Sequence, residues 1–357
     1  MQAFNVEIFS RGFDFICSDT VDTADYAFDY LHPEINSITM VTDAAIMQGD
    51  YIHMLRGDSE YFGIVSGVSS GDVKGTVEVE YKPFTSIFDT KILFDTDLQG
   101  QGTLENRLKA IIESYFRNNA DSLQNIPGLR VGVTSSTSNW GFNLKSDKEG
   151  MHHIICNFLE TFIIRAMEKY RVAVTVRPNF SDHLVVLTIG TVSASPYYIE
   201  ADLPNVINKN ISIKESEFDV NKLVIYNTSD YASTITYYRH TNDTYDTSNT
   251  DRITPVILET VAVDVDTETT TFAKVAASQA SETFGSIEYN NLIELSVMPD
   301  DELLKPKLTK FGQRVIVKDG ENEYNSIYTG CREENGLFTM IFGTVRMDLT
   351  KLLKRRK

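Results

Sequence analysis

The chain is short of cysteine, tryptophan and positive charge. Cys17, Cys156 and Cys331 are odd in number and far apart, which excludes a disulfide framework and a paired-cysteine zinc site. Trp140 is the single tryptophan, which argues against indole-based sugar stacking, although 17 Tyr and 20 Phe supply other rings. Lys and Arg number 33 against 50 Asp and Glu, for a net charge of −17. Such an excess of carboxylates repels phosphate backbones and anionic lipid, and excludes a nucleic-acid groove or a polybasic membrane surface. No run approaches the roughly 18 apolar residues that span a bilayer. The N-terminal MQAFNVEIFSRGF alternates like a strand, so no secretory signal is expected. Folding in a reducing cytoplasm is the expectation that follows. Recognised catalytic signatures are missing as well: there is no GxSxG, no HExxH and no local Cys–His arrangement, and the 6 histidines are scattered.

What is present is core-forming material, 42% hydrophobic residues over 357 positions, enough for about two to three domains. The first segment reads as short strands at Phe4–Ile8, Asp14–Ile16, Ile35–Val41, Tyr51–Leu55, Tyr61–Val68 and Gly75–Tyr81. In the last of these Val77, Val79 and Tyr81 share one face and Glu78 and Glu80 the other, the period of a half-buried strand. After Asp97 the pattern changes. Thr103 is placed to cap a helix carrying Leu104, Leu108, Ile111, Ile112, Tyr115 and Phe116 at helical spacing. A strand at Leu129–Thr134 follows, then a second helix over about Gly150–Lys169 that buries Ile154, Ile155, Phe158, Leu159, Phe162 and Ala166. Strands at Val172–Val176 and Leu184–Ile189 are expected to flank a turn at Arg177-Pro178-Asn179. Further strands are predicted at Ile211–Ile213, Lys222–Tyr226, Ser233–Tyr238, Pro255–Val263 and Leu292–Met298, with an exposed hairpin tip at Thr241–Asp251 and a helix at Thr270–Phe284. The expected fold class is mainly β with an α/β insert (α+β). It comprises an N-terminal β-barrel (1–96), an α/β domain (97–200), a strand-rich connecting region with a short helix (201–300), and C-terminal barrel hairpins with a basic tail (301–357).

An internal repeat is the most informative feature. GDYIHMLRGDSEYFGIVSGV (49–68) lies without a gap on GQRVIVKDGENEYNSIYTGC (312–331), a shift of 263 positions. Six pairs are identical: Gly49/Gly312, Gly57/Gly320, Glu60/Glu323, Tyr61/Tyr324, Ile64/Ile327 and Gly67/Gly330. Chance over such a window gives roughly one identity from average residue usage. The next strands also match, Val77, Val79 and Tyr81 falling on Phe338, Met340 and Phe342 at a slightly smaller shift. Two related barrels, one at each end of the chain, are therefore expected.

The candidate chemistry is thin. His152 and Cys156 stand four apart on the predicted helix, as two metal ligands would, but no third ligand is near and ordinary helix packing accounts for them. Gly100-Gln101-Gly102 lacks the remaining elements of a phosphate-binding loop and reads as a turn before a helix. Asp89, Asp95 and Asp97, and separately Asp264, Asp266 and Glu268, are carboxylate clusters without calcium-loop spacing, best read as solvated faces. The tripeptide Arg56-Gly57-Asp58 occupies a repeated hairpin turn, where the other copy has Asp319-Gly320-Glu321. Neither a catalytic residue, nor a cofactor, nor a metal site is expected. The final LTKLLKRRK carries five cations, Lys351, Lys354, Arg355, Arg356 and Lys357, against an acidic body, and reads equally as a contact for an acidic partner or nucleic acid and as a solvated chain end.

In this order of elements the chain resembles the tail hub, or tail-associated (Tal), baseplate proteins of long-tailed bacteriophages. Those are similar to the central hub of contractile phage baseplates and to the spike base of type VI secretion. The segments that carry the resemblance are GDYIHMLRGDSEYFGIVSGV with VEVEYKPFTSIFDTKILFD, the helix TLENRLKAIIESYF, the stretch ESEFDVNKLVIYNTSD, and GQRVIVKDGENEYNSIYTG. It covers essentially the whole chain and rests on architecture, not on a catalytic motif. The resemblance implies a structural virion protein at the tail tip, assembled in the bacterial host cytoplasm and forming a homotrimer. Its two barrels per protomer would alternate in a pseudo-hexameric ring that joins a sixfold tail to a threefold tip, closes the tube and opens for DNA ejection. Implied partners are the distal tail protein ring, the end of the tape measure protein and receptor-binding proteins, with DNA passing a carboxylate-rich channel without specific binding. Many family members continue into a fibre or a peptidoglycan-degrading domain. This chain stops at Lys357 after the second barrel, so an enzyme is not expected. The alternative from another class is a cell-wall carbohydrate-binding or -hydrolysing protein that uses the acidic clusters and loses activity when Asp95 or Asp266 is changed.

Overall fold

The computed structural model describes residues 3–22, 24, 26–31, 33–57, 59–95, 102–135, 153–192, 195–213, 220–240, 244–265, 271–284, 289, 291–304, 311–334 and 336–344. The chain divides into two compact units, one of Met1–Ile213 with Asn291–Lys357, the other of Lys214–Asn290.

The larger unit begins with β1 (Phe4–Phe9), β2 (Phe15–Val21), β3 (Tyr26–Asp29), β4 (Asn36–Val41), β5 (Tyr51–Arg56), β6 (Ser59–Ser70) and β7 (Thr76–Pro83). Six of them form an antiparallel sheet in the order β2-β1-β5-β6-β7-β4. Alternation sets its faces: Phe4, Val6 and Ile8 of β1, Ile38 and Met40 of β4, and Val79 and Tyr81 of β7 all lie in the core. The sheet curls until β2 approaches β4. There a side chain takes the place of a ladder, Asp19 Oδ2 accepting the Val41 N–H at 2.7 Å.

The insert follows with β8 (Lys91–Asp95), α1 (Leu104–Phe116), β9 (Leu129–Val133), β10 (His153–Asn157), a π-helical turn (Leu159–Ile164) running into α2 (Arg165–Tyr170), β11 (Val172–Asn179) and β12 (Leu184–Thr191). α1 buries Leu104, Leu108, Ile111, Ile112 and Phe116, the stripe its spacing predicts. Thr103 stands at its N-cap, but the Thr103 hydroxyl accepts the Asn106 side-chain amide (2.8 Å) instead of capping the backbone. Phe88, Phe116 and Phe158 meet with centroids 5.0–5.6 Å apart, and Phe162 packs tilted against Phe94 at 4.8 Å. Order β11-β12-β9 makes a small sheet with β9 parallel to β12, and β10 pairs β8 as a separate ribbon.

Two expectations fail here. Residues 153–157 are strand, not helix: β-branched Ile154 and Ile155 find an extended partner in β8, and the helical stretch begins only at Phe158. Ile155 consequently faces outward, opposite Leu93, and is 76% exposed. The expected turn at Arg177-Pro178-Asn179 is part of β11, which continues to Asn179 before turning at residues 180–183. Pro178 is tolerated because β11 is an edge strand, with β12 alone beside it among the described residues.

The unit closes with β13 (Tyr197–Glu200), β14 (Asn208–Ile213), β19 (Asn291–Val297), β20 (Arg314–Asp319), β21 (Asn322–Glu334) and β22 (Leu337–Phe342), in the order β13-β20-β21-β22-β19-β14. β3, from the N-terminal segment, joins this sheet by pairing with β21. The two large sheets share one hydrophobic core, Ile52, Met54, Val79 and Tyr81 belonging to the same cluster as Leu295, Val315, Val317 and Phe342.

The smaller unit has β15 (Lys222–Asn227), β16 (Asp230–Arg239), β17 (Tyr245–Asp246) and β18 (Leu258–Val263) in the order β17-β16-β15-β18, with α3 (Phe272–Phe284). Leu223, Ile225, Val263, Val265, Ala276, Ala280 and Phe284 form its core. The predicted hairpin tip is exposed, yet organised: His240 Nδ1 lies 2.8 Å from Thr250 O and Nε2 3.0 Å from Asp246 Oδ1. The Ser248 N–H and then His240 lower the Asp246 carboxyl below its ordinary value. This unit leaves the first one between β14 and β19, whose ends Ile213 and Asn291 are directly paired.

Candidate functional site

The repeated hairpins turn at Gly57 and Gly320, whose φ values of 57° and 61° put both in the left-handed region that a side chain disfavours. Each hairpin is entered through a second glycine, Gly49 or Gly312, with φ of 95° and 84°. The Gly49 N–H donates to Val65 O at 2.9 Å and the Val65 N–H to Asp50 O at 2.8 Å. The Gly312 N–H donates to Tyr328 O at 2.7 Å and the Tyr328 N–H to Gln313 O at 2.9 Å. A shift of 263 carries each of these donors and acceptors onto its counterpart. The ladders agree as well, Tyr51 opposite Ile64 and Arg314 opposite Ile327. Register then slips between Val65 and Gly67 in one hairpin and between Tyr328 and Gly330 in the other.

The third strands follow, Val65 facing Tyr81 and Val68 facing Val79 as Tyr328 faces Phe342 and Cys331 faces Met340. A fourth strand completes each set. Ile38 and Met40 of β4 pair with Val79 and Val77, and Leu295 and Val297 of β19 pair with Met340 and Phe338. Strand orders β5-β6-β7-β4 and β20-β21-β22-β19 are thus the same. Sequence reading missed this fourth pair because β4 and β19 share no residue pattern beyond alternating apolar positions. The flanks differ, with β1 antiparallel to β5 and β13 parallel to β20.

Side chains diverge more than backbones. Tyr61 is buried edge-to-face on Tyr81 (5.4 Å), whereas Tyr324 is half-buried at the margin of the same core. Ile327 is buried and Ile64 half-buried. Glu60 Oε1 lies 3.0 Å from His53 Nε2, and Glu7 Oε2 lies 3.1 Å from His53 Nδ1; Glu323 is exposed opposite Lys318.

The two sheets are joined at one seam. Buried Arg56, at the end of β5, forms a two-pronged ion pair with buried Glu333 of β21, and its guanidinium lies 4.3 Å from the Phe4 ring centre. Next to it β3 runs antiparallel to Gly330–Glu333, and the Tyr30 N–H donates to Thr329 O at 2.9 Å. The buried Tyr30 hydroxyl accepts the Val174 N–H of the insert (2.9 Å), and burial raises its pKa far above the usual phenol value. The insert also sends Phe180 onto the first sheet, 4.3 Å from the Phe9 ring and 4.5 Å from that of His53. β3 was not foreseen: four residues with a partner some 300 positions away leave no local signal.

The remaining candidates do not converge. Cys156 lies on a strand, which removes the four-residue helical spacing, and burial raises its thiol pKa; His152 lies outside the described residues. Asp89 accepts the Asn157 amide at 2.8 Å and Asp95 ends β8, while Asp97 lies outside the described residues. Asp264 accepts from the Thr228 and Ser229 hydroxyls at 3.3 and 3.2 Å; Asp266 and Glu268 lie outside the described residues. So do Gly100, Gln101, Asp58, Trp140 and the basic tail. Among the described residues no group of three His, Cys, Asp or Glu is placed to hold a metal ion. Arg56 is spent in the ion pair, so Arg56-Gly57-Asp58 does not present its arginine to solvent.

No family model matches the sequence, and no curated protein matches it. Solved structures do. The tail protein from Neisseria meningitidis superposes with a TM-score of 0.54 at 12% identity, over 95% of this chain and 96% of that one. A prophage tail protein from Listeria monocytogenes gives 0.51 at 11% identity, over 99% and 98%. The 43 kDa tail protein of prophage MuSo2 from Shewanella oneidensis gives 0.50 at 14% identity, over 96% and 94%. From end to end, this chain has the fold of phage tail proteins.

Proposed function

We propose that this protein is a structural component of a phage tail tip, a baseplate hub that acts by assembly and conformational change and not by catalysis. The observation that carries the reading is the four-strand unit found twice in one chain with the same strand order, turn glycines and register slip. Two equivalent units per protomer make six in a homotrimer, which lets a threefold hub meet a sixfold ring. On this reading the partners are the distal tail protein ring, the end of the tape measure protein and receptor-binding proteins. The virion is the site of action after assembly in the host cytoplasm. A chain of net charge −17, present in three copies, gives a channel that repels DNA and lets it travel without sticking.

Native mass measurement of the purified protein, alone and mixed with a distal tail protein, tests this. The expected result is a trimer that binds the ring. A chain that stays monomeric at all concentrations and ignores the ring overturns the reading. A zymogram on host cell wall is expected to show no clearing.

A further inference from the structure

The two units differ in one respect that concerns assembly. β21 is longer than β20: its first half pairs with β20 through residues 322–327, and beyond that the same edge is taken by β3, which pairs with Gly330–Glu333. In the first sheet β5 covers β6 only through residues 59–64, and Asp50 with Gly49 closes onto Val65. The equivalent of Gly330–Glu333 is Gly67–Ser70. Among the described residues these four pair with β7 alone. Burial follows occupancy: Cys331 is 8% exposed under β3, and its counterpart Val68 is 40% exposed.

A second observation concerns Gly67 itself. At Gly330 a Cβ would stand 2.6 Å from the Phe28 carbonyl oxygen, so the close approach of β3 requires glycine there. Gly67 has no such neighbour. A Cβ there would meet the exposed Glu80 side chain, closest at its carboxylate oxygen (2.7 Å), which can swing away, with the Glu80 Cβ at an ordinary 3.6 Å, and its φ is not in the left-handed region. The first copy thus keeps a glycine that its own surroundings do not demand but that an added strand would.

We propose that the β6 edge at Gly67–Ser70 is a strand-addition site, filled by an extended segment of a second copy of this chain as β3 fills Gly330–Glu333. Main-chain hydrogen bonds provide the attachment, and Val68 becomes covered as Cys331 is. The choice of a second copy rests on the ring reading above. Within a protomer the N-terminal segment gives β3 to the second sheet, and in a ring of alternating units the next copy is the neighbour placed to give a strand to the first.

Hydrogen–deuterium exchange on the full chain, followed across the concentration range of self-association, tests this. The amides of 67–70 that point away from β7 are expected to exchange freely in dilute protein and become protected on assembly, while those of 330–333, held between β3 and β22, stay protected throughout. Gly67→Ala should weaken self-association about tenfold with no change in the melting of dilute protein, and Gly330→Ala should lower that melting. A trimer whose 67–70 amides still exchange freely overturns the proposal and leaves the hub reading standing. Protection that appears only on adding another tail protein overturns the choice of occupant. Absence of any self-association overturns both.

Discussion

At the scale of single residues, the seam between the sheets depends on a charge pair taken out of water. Removing one partner of such a pair strands the other, which costs about 3–5 kcal/mol, whereas replacing both with apolar residues of similar size is often neutral. Arg56→Met is therefore expected to destabilise by about that amount, and Arg56→Met with Glu333→Leu to recover most of it, as read by denaturant unfolding. A double variant as unstable as the single one would show that Arg56 matters through its contact with Phe4 instead. Asp50 gives a pH signature. Burial raises its carboxyl pKa, the Met47 N–H bond opposing, so the folded chain holds a proton that the unfolded chain has released. Stability from this group is therefore present at acid pH and lost as pH rises from about 4 through the folded value. Asp50→Asn keeps an acceptor for Met47 and removes the titration. It should be at least as stable as the parent at pH 7 and lose its advantage toward pH 4, in melts compared at the two values.

At the scale of elements, the ribbon β8–β10 separates what periodicity can and cannot say. Ile154, Ile155, Phe158, Leu159 and Phe162 fit a helical stripe on paper, and from Phe158 onward they follow it. The first two go to strand because β8, some 60 residues earlier, supplies a hydrogen-bonding edge that no local window contains. Ile155→Asp tests the assignment: on the outer face of a strand it should change stability by less than about 0.5 kcal/mol. Phe158→Ala, in the aromatic core, should cost about 3–5 kcal/mol. A large loss at Ile155 in chemical denaturation would restore the helix reading. The repeated hairpins were legible for the opposite reason. Their information is local: turn glycines, alternating faces and short spacing sit within twenty residues. β3 was illegible because its partner is β21, and β4 and β19 because alternation alone does not distinguish one half-buried strand from another.

At the scale of the whole molecule, mainly-β architecture with an α/β insert was readable from the change in period after Asp97 and the return to strands. The path of the chain through the two sheets was not. The smaller unit interrupts a hairpin, since Ile213 and Asn291 face each other in the β14–β19 ladder. Its core is its own, from Leu223 to Phe284. Replacing residues 214–290 with Asn-Gly, a two-residue turn suited to joining antiparallel strands, should therefore leave the larger unit folded, with near-UV circular dichroism and a cooperative melt retained. Loss of cooperativity in that variant would mean that the larger unit is not self-sufficient.

The pairing of β3 with β21 also sets an order of events during synthesis. At about 5–20 residues per second, Tyr26–Asp29 leaves the ribosome tens of seconds before Gly330–Glu333 is made. Through that interval the first sheet can form, since β1, β2 and β4–β7 lie within the first 83 residues. The short strand beside it has to wait. The second sheet cannot be completed until translation has passed β22, so Tyr26–Asp29 lacks its partner strand for most of the chain's synthesis.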